Sequence, residues 1–128
     1  MSILVNKNEY FDLEIKGIYI RDQFERIIGF KKSENGNVIL RCKYRGRDFE
    51  TMSKIIEDSS IINSVNGKPL IRSGVFTKLI LLNFFSELNI NSENESTTLT
   101  INKDLVNQLN YDIVKYLAQK WLELTNGI

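Results

Sequence analysis

Apolar and polar positions alternate from residue 10 to residue 16. Phe11, Leu13 and Ile15 interleave with Asp12, Glu14 and Lys16, the period of a strand with one buried face. Gly17 breaks the alternation, and Ile18 and Ile20 resume it on the opposite parity, which predicts a bulge or bend at the glycine. Two further apolar runs, 26–32 and 37–44, flank Asn35-Gly36. That dipeptide accepts the positive φ values of a type I′ turn, so the pattern predicts a β-hairpin. On its second strand Val38, Leu40, Cys42 and Tyr44 share one face and Ile39, Arg41 and Lys43 the other. The first face is expected to be core. Residues 1–5 are a candidate short extra strand.

Helical spacing begins after the turn Arg45-Gly46-Arg47-Asp48. Phe49, Met52, Ile55 and Ile56 recur at three and four residues, with Asp48 as N-cap. Around Asn66-Gly67, Ile61-Ile62 and Leu70-Ile71 form a small hairpin or an ordered loop, with Pro69 on an edge. Ser73 is the expected cap of a helix running to about Leu88, apolar nearly all round and therefore central or covered by a partner. Residues 89–98 are polar and are expected as a solvated loop. From about Asn102 to Leu124, Leu105, Leu109, Ile113, Leu117, Trp121 and Leu124 line one side of an amphipathic segment. It can break at Asn110-Tyr111-Asp112 into two helices. Gly127 is expected at a fraying end.

These elements predict an α+β fold: an N-terminal antiparallel, hairpin-containing sheet followed by a helical C-terminal half. The length of 128 residues fits one domain, 1–128. Within it 1–50 is β-rich, 51–72 is a short helix and loop, and 73–128 is helical. Seventeen basic and sixteen acidic residues give a net charge of +1, which removes any whole-molecule attraction to nucleic acid or an anionic membrane. The longest apolar stretch, Val75 to Leu88, is interrupted by polar residues and is too short to span a bilayer. No signal-like start is present, so a cytoplasmic or assembled-particle (virion) location is expected and no membrane.

The inventory also limits chemistry. Histidine is absent, which removes the commonest general base and metal ligand. The single cysteine, Cys42, alternates with core positions and reads as a small buried hydrophobe. Asp12 and Glu14 point the same way from a strand, but no third partner accompanies them. No phosphate-loop spacing occurs among the glycines. The expectation is a non-enzymatic chain with no cofactor and no metal. One basic run remains: Arg41, Lys43, Arg45 and Arg47, with Tyr44 inside it as a stacking platform. It is either a solvated strand face or a small nucleic-acid-binding or nucleoprotein-blocking surface. Phe84, Phe85, Tyr116 and Trp121 have the spacing of core residues. A chain this small rarely encloses two helices so apolar by itself, so these four are the candidate anchors for partner proteins or a second copy.

Residues 84–124 carry a further pattern. Phe84-Phe85-x-x-Leu88-Asn89-Ile90 precedes an acidic polar stretch and Leu99-Thr100-Ile101-Asn102. Asp104-Leu105-Val106-x-x-Leu109-Asn110-Tyr111-Asp112-Ile113-Val114-x-x-Leu117 follows. This resembles the C-terminal part of the tail-assembly, chaperone-like proteins of tailed phages. There an apolar helix ends near a tryptophan and an acidic loop, and a short helix, a break and a last helix follow. Here Phe85 stands for the tryptophan and Asn110 for the proline of the break. The resemblance implies a phage structural or assembly protein that binds other structural proteins and has no catalytic residues.

Overall fold

The computed structural model describes residues 4–126, so residues 1–3 of the candidate first strand and Gly127 lie outside the description. Five strands form one antiparallel sheet: β1 (Tyr10–Arg21), β2 (Ile27–Lys32), β3 (Val38–Arg45), β6 (Phe85–Ser92) and β7 (Glu95–Thr100). Their spatial order is β2-β1-β3-β6-β7. A separate two-stranded ribbon, β4 (Ser60–Ile62) with β5 (Pro69–Ile71), lies between helices α1 (Phe49–Ser59) and α2 (Ser73–Phe84). Helices α3 (Lys103–Gln108) and α4 (Tyr111–Thr125) close the described chain. The fold is α+β, as the periodicities predict.

Register explains the core. Leu13, Cys42, Leu88 and Leu99 stand side by side across four strands, as do Ile15, Leu40, Ile90 and Thr97. Their shared face is covered by α2 and α4, and one buried cluster runs from Leu13 and Phe30 to Ile80, Phe84, Ile113 and Trp121. The opposite face carries Asp12, Lys43, Glu87 and Thr100 in one row and Glu14, Arg41, Asn89 and Thr98 in the next. It faces water, as one side of an antiparallel sheet can.

Two expectations are corrected. First, the runs around Asn35-Gly36 are strands, but they do not pair with each other. β1 is long enough to serve both: its residues 17–21 pair with β2 and its residues 10–17 with β3. The connection 33–37 crosses β1 at Gly17. There the Ser33 amide donates to the Lys16 carbonyl at 2.9 Å. A Cβ on Gly36 would lie 2.1 Å from the Gly17 oxygen, and one on Gly17 would lie 2.3 Å from the Phe30 ring. Two glycines let the backbones cross, and Gly36 takes no positive φ. The β1–β2 connection is instead a tight turn. Asp22 Oδ1 accepts the amides of Phe24 and Arg26, and Glu25 has φ 64°.

Second, residues 89–98 are not a loop, and α2 stops at Phe84 rather than Leu88. Phe85–Ser92 and Glu95–Thr100 are a hairpin turning at 93–94. The reason is the free edge of β3. Pairing β6 there puts Leu88 and Ile90 on the buried face and Glu87, Asn89 and Asn91 on the wet one, a period of two that helix could not satisfy. Asp48 does cap α1, accepting the Thr51 amide at 3.0 Å. Ser73 does not cap α2. It is that helix's first residue, and Arg72 precedes it without a side-chain cap bond.

Candidate functional site

The basic run does not form a patch. In the β1–β3 register Arg41 faces Glu14 and Lys43 faces Asp12, and each pair closes to 3.0 Å between donor and acceptor. The hydrogen bond and charge of Asp12 hold the Lys43 ammonium above its ordinary pKa. Tyr44 lies on the opposite face of the strand, half-buried, with its ring 5.7 Å from that of Phe11. Arg45 and Arg47 follow the end of β3 into the interior. Arg45 donates to Asp48 at 2.8 Å and to the Asn83 carbonyl at 3.0 Å, with its guanidinium 4.8 Å from the centre of Phe84. Arg47 donates to Thr125 Oγ1 at 2.8 Å and lies 5.1 Å from the Trp121 ring, while its Nε is buried without a hydrogen-bond partner. Of the five candidate nucleic-acid residues, two are neutralised by the neighbouring strand and two are structural.

Three of the four candidate partner anchors lie in the core, and the fourth, Tyr116, packs half-buried against it. Phe84 and Trp121 have no exposure at all, and Phe85 is 4% exposed. Phe84 and Trp121 stack at 4.4 Å, and the indole N–H donates to the Arg45 carbonyl at 3.0 Å. Tyr116 is half-buried, edge-on to Phe30 at 6.1 Å and 5.1 Å beneath Lys32 Nζ. The two candidate sets therefore meet, arginine over aromatic, and satisfy each other inside the fold. The five-stranded sheet, two strands of it from the stretch expected as helix end and loop, supplies the cover that the two apolar helices need.

Asp48 is the hub of this corner. Burial alone would raise its carboxyl. The Thr51 amide, the Arg45 guanidinium, the Thr51 hydroxyl and the charge of Lys7 outweigh that and hold it well below the usual carboxylate range. Cys42 is pushed up to about 12, by burial first and then by Glu87, so it stays a protonated, inert thiol. Among the described residues no group of three or more Asp, Glu or Cys side chains is placed to hold a metal ion.

What sequence reasoning passed over lies elsewhere. The β4–β5 ribbon projects as an arm on which Ile61, Ile62, Val65, Leu70 and Ile71 are all exposed, Ile62 by 75% and Val65 by 93%. Pairing sets Ile61 against Leu70 on one face and Ile62 against Pro69 on the other, so both faces are apolar. The signal was present in the doublets Ile61-Ile62 and Leu70-Ile71, because consecutive apolar residues cannot share one face of a strand. The arm's base is clamped: Arg72 donates from its amide to the Ser59 carbonyl at 2.8 Å and from Nη2 to the Asp58 carbonyl at 2.7 Å. Its tip is a turn with Gly67 at φ 68°. Directly after the arm, at Ser73 and Gly74, begins a groove of about 540 Å³ between α2, α3 and α4, floored by Phe76, Leu109 and Leu122. No helix among the described residues is long and apolar enough to cross a membrane. Comparison with protein-family models, with curated proteins and with solved structures finds no match for this chain.

Proposed function

We propose that the chain is a non-enzymatic protein–protein interaction module that docks through the β4–β5 arm. The observation that carries this reading is the arm itself. A two-stranded ribbon is marginally stable alone, and this one holds five apolar side chains in water, anchored firmly at its base. Covering one such side chain is worth about 1.5–3 kcal/mol at full burial, so a partner surface gains from even partial cover of five. The adjoining groove extends the apolar surface. The ion pairs on the open sheet face leave no run of free cations for phosphates, which favours a protein partner over a nucleic acid.

The finer reading, an assembly or structural protein of a tailed phage, is supported by the resemblance of residues 84–124. In that segment the short helix α3, a break at Leu109-Asn110 and the last helix α4 follow one another as in that family's pattern, whereas the polar stretch is a strand pair. The test is affinity purification of the chain from its own host, beside Ile62→Asp/Val65→Asp. Both positions are open to water, so the variant keeps its circular dichroism and melting temperature. A partner that the wild type retains and the folded variant loses supports the reading, and binding of that purified partner is then compared by calorimetry. Equal retention by both proteins refutes it.

A further inference from the structure

The sheet's two edges are treated differently. On β2 the Phe30 amide donates to Asp112 Oδ2 at 3.2 Å, and α4 packs alongside. No helix packs along β7 to a comparable extent, and the strand is exposed along nearly its whole length. Its sequence, Glu95-Ser-Thr-Thr-Leu-Thr100, contains no lysine, proline or bulge, the usual means of blocking an edge. The Ile101 amide donates to the Ser86 carbonyl at 3.0 Å. By the alternation of antiparallel ladders, Thr97 and Leu99 then bond to β6 while Ser96, Thr98 and Thr100 aim their backbone groups outward.

We propose that β7 pairs antiparallel with β7 of a second copy of this chain about a two-fold axis at Thr98, joining two five-stranded sheets into one. This goes beyond the arm, which remains free for another partner, and it does not depend on the arm reading. The register follows from three observations. Helices of both copies lie on the same side only if opposite residues share parity. Centring on Thr98 sets Ser96 against Thr100 of the second copy, so every outward group falls in a hydrogen-bonded pair, about six bonds in all. The same register sets Thr97 against Leu99 on the covered face. It also keeps Glu95 away from its own mate, so no like charges are opposed along the paired strands. The contact is isologous, so it closes as a dimer rather than growing.

The test uses the full chain. At about 100 µM the wild type is expected to sediment at twice 14.9 kDa. Thr98→Pro removes an outward amide without touching the β6–β7 ladder, and it is expected to weaken the dimer at least about tenfold with unchanged circular dichroism. Thr98→Lys opposes two ammonium groups at the axis, does the same, and serves if the proline variant fails to fold. Thr98→Cys places two thiols on Cα atoms about 5.5 Å apart and should cross-link under mild oxidation, with Cys42 buried out of reach. Ser96→Cys, about 14 Å from its mate, should not. A monomeric wild type, an undiminished dimer in the folded Thr98 variants, or equal cross-linking by both cysteine variants overturns the proposal.

Discussion

Gly36→Ala is the sharpest probe of the topology, because two chain paths assign that glycine different roles. In a direct hairpin with a type I′ turn at Asn35-Gly36, alanine costs only the positive-φ penalty, about 1–2 kcal/mol. In the observed fold the new methyl meets backbone: 2.1 Å to the Gly17 oxygen, 2.4 Å to its carbonyl carbon and 2.6 Å to its Cα. Ordinary contact lies more than 1 Å further out. Neither strand can withdraw that far, since Gly17 is paired to Lys32 on one side and Val38 on the other. Overpacking costs of about 1–3 kcal/mol refer to side chains that can give. Spreading a 1 Å separation over bond angles adds about 4 kcal/mol for a 15° distortion. The expected loss is therefore about 4 kcal/mol, out of a total stability of roughly 5–15 kcal/mol. Urea unfolding followed by circular dichroism reads it as a fall in midpoint at constant slope. A loss under about 2 kcal/mol would refute the crossing at Gly17.

Other perturbations follow from the same contacts. Asp48→Ala removes the α1 cap and strands the Arg45 guanidinium, for a loss of about 3 kcal/mol by denaturant titration. Asp48 also predicts acid sensitivity. Its carboxyl is held below the unfolded value of about 3.9, so its contribution is complete above about pH 5 and drains away as pH falls through the folded value. Asp48→Asn keeps a cap acceptor and should flatten that slope below pH 5. Glu25→Gly relieves a left-handed residue whose carboxylate makes no hydrogen bond or ion pair with the described residues, and should raise stability by about 0.5–1 kcal/mol in thermal melts. Trp121→Phe leaves the Arg45 carbonyl unpaired and should cost about 2 kcal/mol, whereas Trp121→Ala should cost about 3–5 kcal/mol.

Legibility in the sequence followed the range of the interaction. Elements decided locally were readable: the Leu13/Ile15 alternation, the Asp48 cap, the break at Asn110, whose side chain accepts the Asp112 amide at 2.9 Å. Pairing was not, because it is decided by what lies across the sheet. Asn35-Gly36 carries a local turn signal, and the chain does turn there. Nothing within ten residues tells that β1 stands between the two flanking strands. The expected bulge at Gly17 is absent: β1 runs straight through it and shifts register only between Ile20 and Arg21, so the glycine held the missing information by marking a close backbone approach instead. The strand from Phe85 was hidden for a related reason. Leu81, Leu82, Phe84, Phe85 and Leu88 satisfy helical spacing, and only the vacant edge of β3 decides that the last of them belong to a ladder.

The candidate site shows the same division in sharper form. Charge and aromaticity pointed to Arg45, Arg47, Phe84 and Trp121, and those residues do form a cluster, but a closed one. A guanidinium over an aromatic ring uses the ring face and the cation together, so each group consumes what would have recruited a ligand to the other. Residue type alone therefore reported where strong interactions lie, without reporting whether they point inward. Exposure discriminates, and it selects groups with ordinary chemistry: isoleucines and a valine on the arm, threonines on the free edge. On the proposed reading, this surface of exposed apolar side chains and outward backbone amides is one that another polypeptide would cover. It offers both things a polypeptide can complete, a hydrophobic cover and a β-ladder.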